Sequence, residues 1–256
     1  MKETVQSVVR GLTILEIVAK HGEIGLSEIS TLSMLNKATV HRLLSTLIAT
    51  GYIEQVDKNG LYRQTYKLFL LGNKKVENIN SYKIARRFLS ELSNTIEATV
   101  HLVVEDNREV VYVDKIDPTE SHSGFRLQSR VGKRAPMYCT AVGKILISQY
   151  PDEIIKEIWE TTEITSLTSK TITDLDTFMK EIALIRSQGF ALDNEENEVG
   201  VVCVASTFLN HKGVVEGAIS SSIPTMFFKD KSQHYIENVT KCADKISQAL
   251  GYMPSK

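Results

Sequence analysis

At 256 residues, 42% hydrophobic and 24% charged, with a formal net charge of −1, the chain has the composition of a soluble globular protein of one large or two ordinary domains. It has no apolar run long enough to span a bilayer and no charged–apolar–small leader, so a cytoplasmic protein without membrane contact is expected. Cys139, Cys203 and Cys242 lie far apart in no metal-like spacing, as expected of a reducing compartment, and argue against a disulfide framework or a metal site.

The charge is uneven. Residues 1–75 hold ten Lys/Arg against six Asp/Glu, which leaves 20 against 25 in the remainder. A basic N-terminal third on an acidic body fits a nucleic-acid module joined to a domain with another task. The first predicted helix covers Ser7 to Lys20, with Val8, Leu12, Leu15, Val18 and Ala19 on one stripe, and His21-Gly22 ends it. A short helix from Ser27 is expected to bury Ile29 and Leu32. A second follows from Asn36, a candidate N-cap, with Val40, Leu43, Leu44, Leu47 and Ile48 at the i, i+3, i+4, i+7, i+8 spacing of one buried stripe.

The opposite face of that helix carries Ala38, His41, Arg42, Ser45 and Ala49: a cation, hydrogen-bonding groups and small residues that allow close approach to a surface. Two short helices joined by a tight turn, with such a face on the second, form the pattern of a helix-turn-helix. Gly51–Glu54 then ends the helix and opens a strand, and Gln55–Arg63 follows around Asn59-Gly60, a hairpin signal because both positions of a type I′ turn need φ > 0. The hairpin would add a wing, with Arg63 placed to meet a phosphate. The predicted DNA-contacting set is Ser27, Lys37, Ala38, Thr39, His41, Arg42, Ser45 and Arg63, and the domain is expected to span residues 1–72.

Residues 73–82 read as a linker, helical in part, and residues 83–251 as a second domain. There Ile84, Phe88, Leu89 and Leu92 mark an amphipathic helix. Period-two runs at 99–104 and 109–113 mark a hairpin about Asp106-Asn107, and Phe125–Gln128 is a further expected strand. Thr140 is placed to cap a helix whose first amides belong to Ala141 and Val142, a ready anion site. Thr173 with Asp176 resembles a capping box for a helix ending at Gly189. Val201–Phe208 and Val214–Ile223 are expected to pair across a tight turn, with Cys203 opposite Ser220 and with Ser220 and Ser222 on one face. A last helix carries Tyr235, Val239, Cys242, Ile246, Ala249 and Leu250. Helices on antiparallel hairpins make an α+β domain.

The segments LNKATVHRLLSTLIATGYIE, VGKRAPMYCTAVGKILI, LTSKTITD and GFALDNEENEVGVVCVAS occur in this order and resemble the IclR family of bacterial transcriptional regulators over nearly the whole chain. The resemblance implies an N-terminal winged helix-turn-helix, a linker helix and a C-terminal effector domain of GAF-like antiparallel-sheet topology. It also implies a homodimer or dimer of dimers on double-stranded DNA at a palindromic operator, and repression as the expected mode. No cofactor is expected; a small organic-acid effector is. By the same resemblance, its carboxylate would meet the amides of Ala141 and Val142, Asp193, Cys203, Ser220 and Ser222, with Leu127 as an apolar wall. Asp193 would repel an anion unless protonated or bonded to a ligand hydroxyl, which suits a hydroxy-acid or hydrated keto-acid. Two departures stand out: Gln64-Thr65 in place of the usual Leu-Gly, and Ile96-Glu97-Ala98 where Gly-Glu is common, which bears on a position of positive φ.

Two readings compete with a regulator. Cys203, His101 and Asp193 are nucleophile, base and orienter in a cysteine-dependent enzyme, although no nucleophile signature surrounds them. A metabolite sensor that never binds DNA is the other, and the face at 38, 41, 42 and 45 argues against it.

Overall fold

The computed structural model describes residues 4–56, 60–77, 80–119 and 129–253. The chain divides into two compact units, Met1–Asn78 and Ile79–Lys256.

In the first unit, α1 (Gln6–His21), α2 (Leu26–Ser33) and α3 (Lys37–Ala49) pack on one another. A three-stranded antiparallel sheet of β1 (Ile24–Gly25), β3 (Leu61–Gln64) and β2 (Ile53–Gln55), in that spatial order, closes the domain. The core is Ile14, Val18, Ile24, Ile29, Val40, Leu44, Ile53 and Tyr62. Asn36 does cap α3: its Oδ1 accepts from the Thr39 amide at 2.9 Å. Met34, at φ 54, ends α2 and sets the turn. β2 and β3 pair as a wing, with Val56 N donating to Leu61 O at 2.8 Å and Gly60 at φ 67; Asn59 of the expected turn lies outside the described residues. α4 (Lys67–Glu77) follows.

Four expectations need correcting. Val8 and Leu12 are exposed, because α1 turns Ile14 and Val18 inward and leaves a second apolar stripe on its outer side. Leu32 and Ile48 are exposed too; each sits at the edge of its helix's stripe, where the three-helix core is too small to cover it. The helix assigned to the linker starts at Lys67, inside the stretch assigned to the first domain.

The second unit is a six-stranded antiparallel sheet in the order β6 (Arg134–Ala135), β5 (Glu109–Ile116), β4 (Thr99–Asp106), β9 (Val215–Pro224), β8 (Val201–Leu209), β7 (Ala191–Asn194). One face packs on α5 (Asn80–Ile96) and α9 (Thr225–Ala249), through Leu89, Val100, Leu102, Val204, Phe208, Ile219, Val239 and Ile246. The other packs on α6 (Ala141–Ile147), α7 (Asp152–Thr161) and α8 (Leu175–Gln188), through Val103, Val142, Ile145, Phe178, Ile182 and Ala205. Strand alternation divides the sheet between the two cores.

α5 ends with Glu97 at φ 51 and the Ala98 amide bonded back to Ser93 O, so the left-handed position that glycine usually fills is kept here by glutamate. The β4–β5 turn centres on Asn107-Arg108, both at positive φ, one residue later than expected. α8 is capped by Asp174, whose Oδ1 accepts from Thr177 N at 2.9 Å, not by Thr173. The β8–β9 register pairs Cys203 with Ser222 and Ala205 with Ser220, because an irregularity at Phe208/Leu209 offsets the ladder from a plain tight turn. The expected strand at 125–128 lies outside the described residues.

Candidate functional site

On α3, the core takes Val40 and Leu44, so Lys37, Ala38, His41, Arg42 and Ser45 turn to solvent and Thr39 is half-buried. Ser27 is exposed at the first turn of α2. The hydroxyl of Ser45 donates to His41 O at 2.9 Å, which leaves its oxygen free only to accept. Arg63 is on the wing, but its guanidinium donates to Glu54 at 2.7 Å and to Glu23 at 3.3 Å. A phosphate there would have to displace or share those exposed carboxylates.

In the second unit α6 crosses β7, β8 and β9. Gly143 lets α6 lie against the segment before it: a Cβ there would stand 2.3 Å from the Met137 Cα. Thr140 caps the helix, its Oγ1 accepting from Gly143 N at 3.1 Å and donating to Pro136 O at 2.8 Å. The amides of Ala141 and Val142 precede any intrahelical acceptor and stay available.

Beneath them lies a cavity of about 300 Å³ that brings together Ala141, Val142, Asp193, Cys203, Ser220 and Ser222, six of the seven residues expected to hold an effector. Leu127 lies outside the described residues. The alternation of β9 points both serines the same way, and Ser222 Oγ sits 3.2 Å from Cys203 Sγ. Burial raises the Cys203 thiol far above its ordinary range, with Asp193 adding to the effect, so it stays protonated. Asp193 is buried, and its Oδ1 accepts from the amides of Glu196 at 2.7 Å and Asn197 at 3.2 Å. Desolvation outweighs those two bonds and pushes its carboxyl up to about 7.

The cavity walls missed by sequence reasoning are chiefly Tyr112, Ser129, Lys133, Leu167 and Asn197. Tyr112 stands in an alternating strand, where one face must line something. Ser129 carries no pattern, and nothing in the VGKRAPMYCTAVGKILI segment marks Lys133 as a cavity residue. Also unforeseen is a fully buried Lys144 on α6, whose Nζ donates to Glu196 Oε1 at 2.5 Å and Glu181 Oε1 at 3.0 Å. It ties the 195–198 loop, which carries cavity residues, to α6 and α8.

The residues cast as an enzyme's triad do not assemble as one. His101 Nε2 faces Ser129 Oγ at 2.8 Å, and the Cys203 thiol faces Ser222. Among the described residues there is no cluster suited to a metal ion, and no helix is long and apolar enough to cross a membrane.

A reading helix on a winged domain and an anion-ready cavity in a separate domain agree with comparisons to known proteins. The model of the IclR helix-turn-helix domain matches residues 7–57, and that of the bacterial transcriptional regulator IclR C-terminal domain matches residues 73–248. The chain belongs to the IclR family. The HTH-type transcriptional regulator KdgR of Escherichia coli K12 is 36% identical over 251 residues, 98% of this chain and 94% of the relative. The crystal structure of Thermotoga maritima IclR has a TM-score of 0.80 at 29% identity, covering 96% of this chain and 99% of that one. An IclR homologue from Microbacterium hydrocarbonoxydans, crystallised with 4-hydroxybenzoate, shares the fold, with a TM-score of 0.84 at 19% identity over 95% of this chain and 98% of that one. This IclR-family protein is a DNA-binding transcriptional regulator, with its helix-turn-helix in the first unit and its effector-binding domain in the second.

Proposed function

We propose that this regulator is a cytoplasmic homodimeric repressor, not an enzyme, whose hold on a palindromic operator is altered by a small organic acid in the cavity under α6. The observation that carries the reading is the cavity itself. It gathers two free helix amides, two serine hydroxyls and a protonated thiol around one space, all of them donors, which is what a carboxylate requires. Asp193 is the exception among these donors. With its carboxyl raised to about 7 it can itself donate to the ligand, or accept from a ligand hydroxyl when ionised. A hydroxy-acid satisfies both conditions, and the Microbacterium protein holds such a molecule.

DNA is read by the outer face of α3, with His41 and Arg42 at the major groove, flanked by Lys37, Ala38, Thr39 and Ser45 and by Ser27 on α2. Arg63 serves the backbone only if it leaves Glu54 and Glu23. The ligand acts by favouring one geometry of the dimer over the other, since equal affinity for both would shift nothing.

The test is a mobility-shift titration on the gene's own upstream region, using an acid identified by thermal shift, which reports native-state ligands by mass action. Arg42→Ala is expected to weaken specific binding by about 1–3 kcal/mol if Arg42 reads a guanine. If it touches only phosphate, binding should weaken evenly across sequences with a shallower salt slope. The Ser220→Ala/Ser222→Ala variant should keep its operator affinity and lose the ligand response. Undiminished operator binding by Arg42→Ala would remove the DNA assignment, and a full ligand response in the double-serine variant would place the pocket elsewhere.

A further inference from the structure

The cavity has a second pole that the carboxylate reading does not use. Asp193, Cys203 and Ser222 lie toward β7 and β8, whereas Tyr112, Ser129 and Lys133 line the cavity at its β5 side. In the sheet, β4 and β9 stand between β5 and β8, and His101 on β4 pairs with Ser220 on β9.

What makes the second pole a built site is His101. It pairs with Ser220 on one side and Lys115 on the other, so it shares the cavity-side face of the sheet. The residue is 1% exposed and packs edge-on against the Tyr112 ring at 5.1 Å. Its Nε2 lies 2.8 Å from Ser129 Oγ, and its Nδ1 has no partner among the described residues. Burial, reinforced by Lys115, holds the ring neutral, with a pKa near 3, so it carries one N–H. A buried N–H without an acceptor is rarer in proteins than an unsatisfied acceptor, so the proton belongs on Nε2 and Nδ1 is left bare. With Nε2–H donating to it, the Ser129 oxygen serves as acceptor, and its own proton is free to turn into the cavity. Lys133, on the same wall, has no carboxylate partner among the described residues.

We propose that the effector is a bifunctional acid whose second, hydrogen-bond-accepting group is received by Ser129 and Lys133, with His101 as the positioning residue that turns the Ser129 hydroxyl toward it. This rests on the effector reading above and adds to it the ligand's second functional group.

The test compares chain-matched acids on the full-length protein: pentanoate and hexanoate against glutarate, adipate and 4-oxopentanoate, by thermal shift and calorimetry. The bifunctional acids are expected to bind at least tenfold more tightly than their monofunctional counterparts. Ser129→Ala should abolish that ratio while leaving pentanoate affinity unchanged. His101→Phe should do the same, and His101→Gln, which keeps an N–H donor, should restore part of it; a merely structural role for His101 would lower all affinities alike. Ser220→Ala/Ser222→Ala should weaken both classes equally. Equal affinity for the two classes in the natural protein, or an undiminished ratio in Ser129→Ala, overturns the second pole and leaves the first intact. If no acid of either class binds, both readings fall.

Discussion

Asp193 is the residue at which the physics of the pocket is most directly measurable. Desolvation favours its neutral form, the two loop amides favour the ionised form, and desolvation prevails, giving a carboxyl near 7. A raised carboxyl stabilises the native state fully below its unfolded value near 4, and that contribution is lost as pH rises toward 7. The same sign governs ligand binding. A small acid is already an anion above about pH 5, and it meets a neutral Asp193 below 7 but a like charge above. Affinity is therefore expected to be flat from about pH 5.5 to 6.5 and to fall about tenfold per pH unit well above 7. Asp193→Asn should remove the fall. Calorimetry across pH 5.5–8.5 checks this, and a pH-independent affinity in the natural protein would show that the ligand offers Asp193 a hydroxyl instead.

At the scale of elements, α6 is the piece on which the pocket depends. It is seven residues long and buried throughout, pressed onto the Met137 backbone through Gly143 and tied to the 195–198 loop through Lys144. Lys144→Met leaves Glu196 buried without its cation, and removing one member of a buried pair costs about 3–5 kcal/mol. The loop it anchors donates the Glu196 and Asn197 amides to Asp193, so ligand affinity should drop as well. Lys144→Met/Glu196→Met should recover most of the stability, because an apolar replacement of both members is often neutral. Denaturant unfolding of the single and double variants measures this; a single variant as stable as the natural protein would mean that the pair contributes little.

The same elements show what a sequence does and does not disclose. The helix-turn-helix was legible because α3 concentrates its apolar residues on one stripe and its small and basic residues opposite. That the start of α6 and the two serines would share one space was legible from a capped helix start and serines two residues apart, whereas Asp193 came only from the family resemblance. The second pole was not: His101, Ser129 and Lys133 come from distant stretches joined only by sheet pairing, and pairing partners are non-local. The β8–β9 register was missed for a similar reason, since the irregularity at Phe208/Leu209 has no residue type that announces it. The start of α4 was missed because Phe69, Leu70 and Leu71 form an unbroken apolar run without a helical period, and all three are exposed.

That exposure matters at the scale of the whole molecule. The first unit leaves Val5, Val8, Val9 and Leu12 of the α1 region and Tyr66, Phe69, Leu70 and Leu71 of the α4 region open to solvent, at 45% to 87%. A run of exposed apolar side chains on a helix marks an interaction site more often than a solvated face. A second copy fits best: one winged helix supplies few specific contacts, and a palindromic operator needs two reading helices held a helical turn apart. We therefore expect at least a dimer at micromolar concentration. Val8→Glu/Leu12→Glu changes only surface side chains of the single chain, so its folding should be within about 0.5 kcal/mol of the natural protein for each change. In the dimer the same charges would be desolvated at the contact, which costs far more than a surface position does. The variant should therefore sediment as a monomer and lose operator affinity disproportionately, since its two half-sites would no longer be bound as one event. Sedimentation velocity and mobility shift on the same samples decide the matter. A natural protein that is monomeric at micromolar concentration and binds its operator as a monomer would exclude this assembly, and with it the route by which a ligand in the effector domain could alter the spacing of the reading helices.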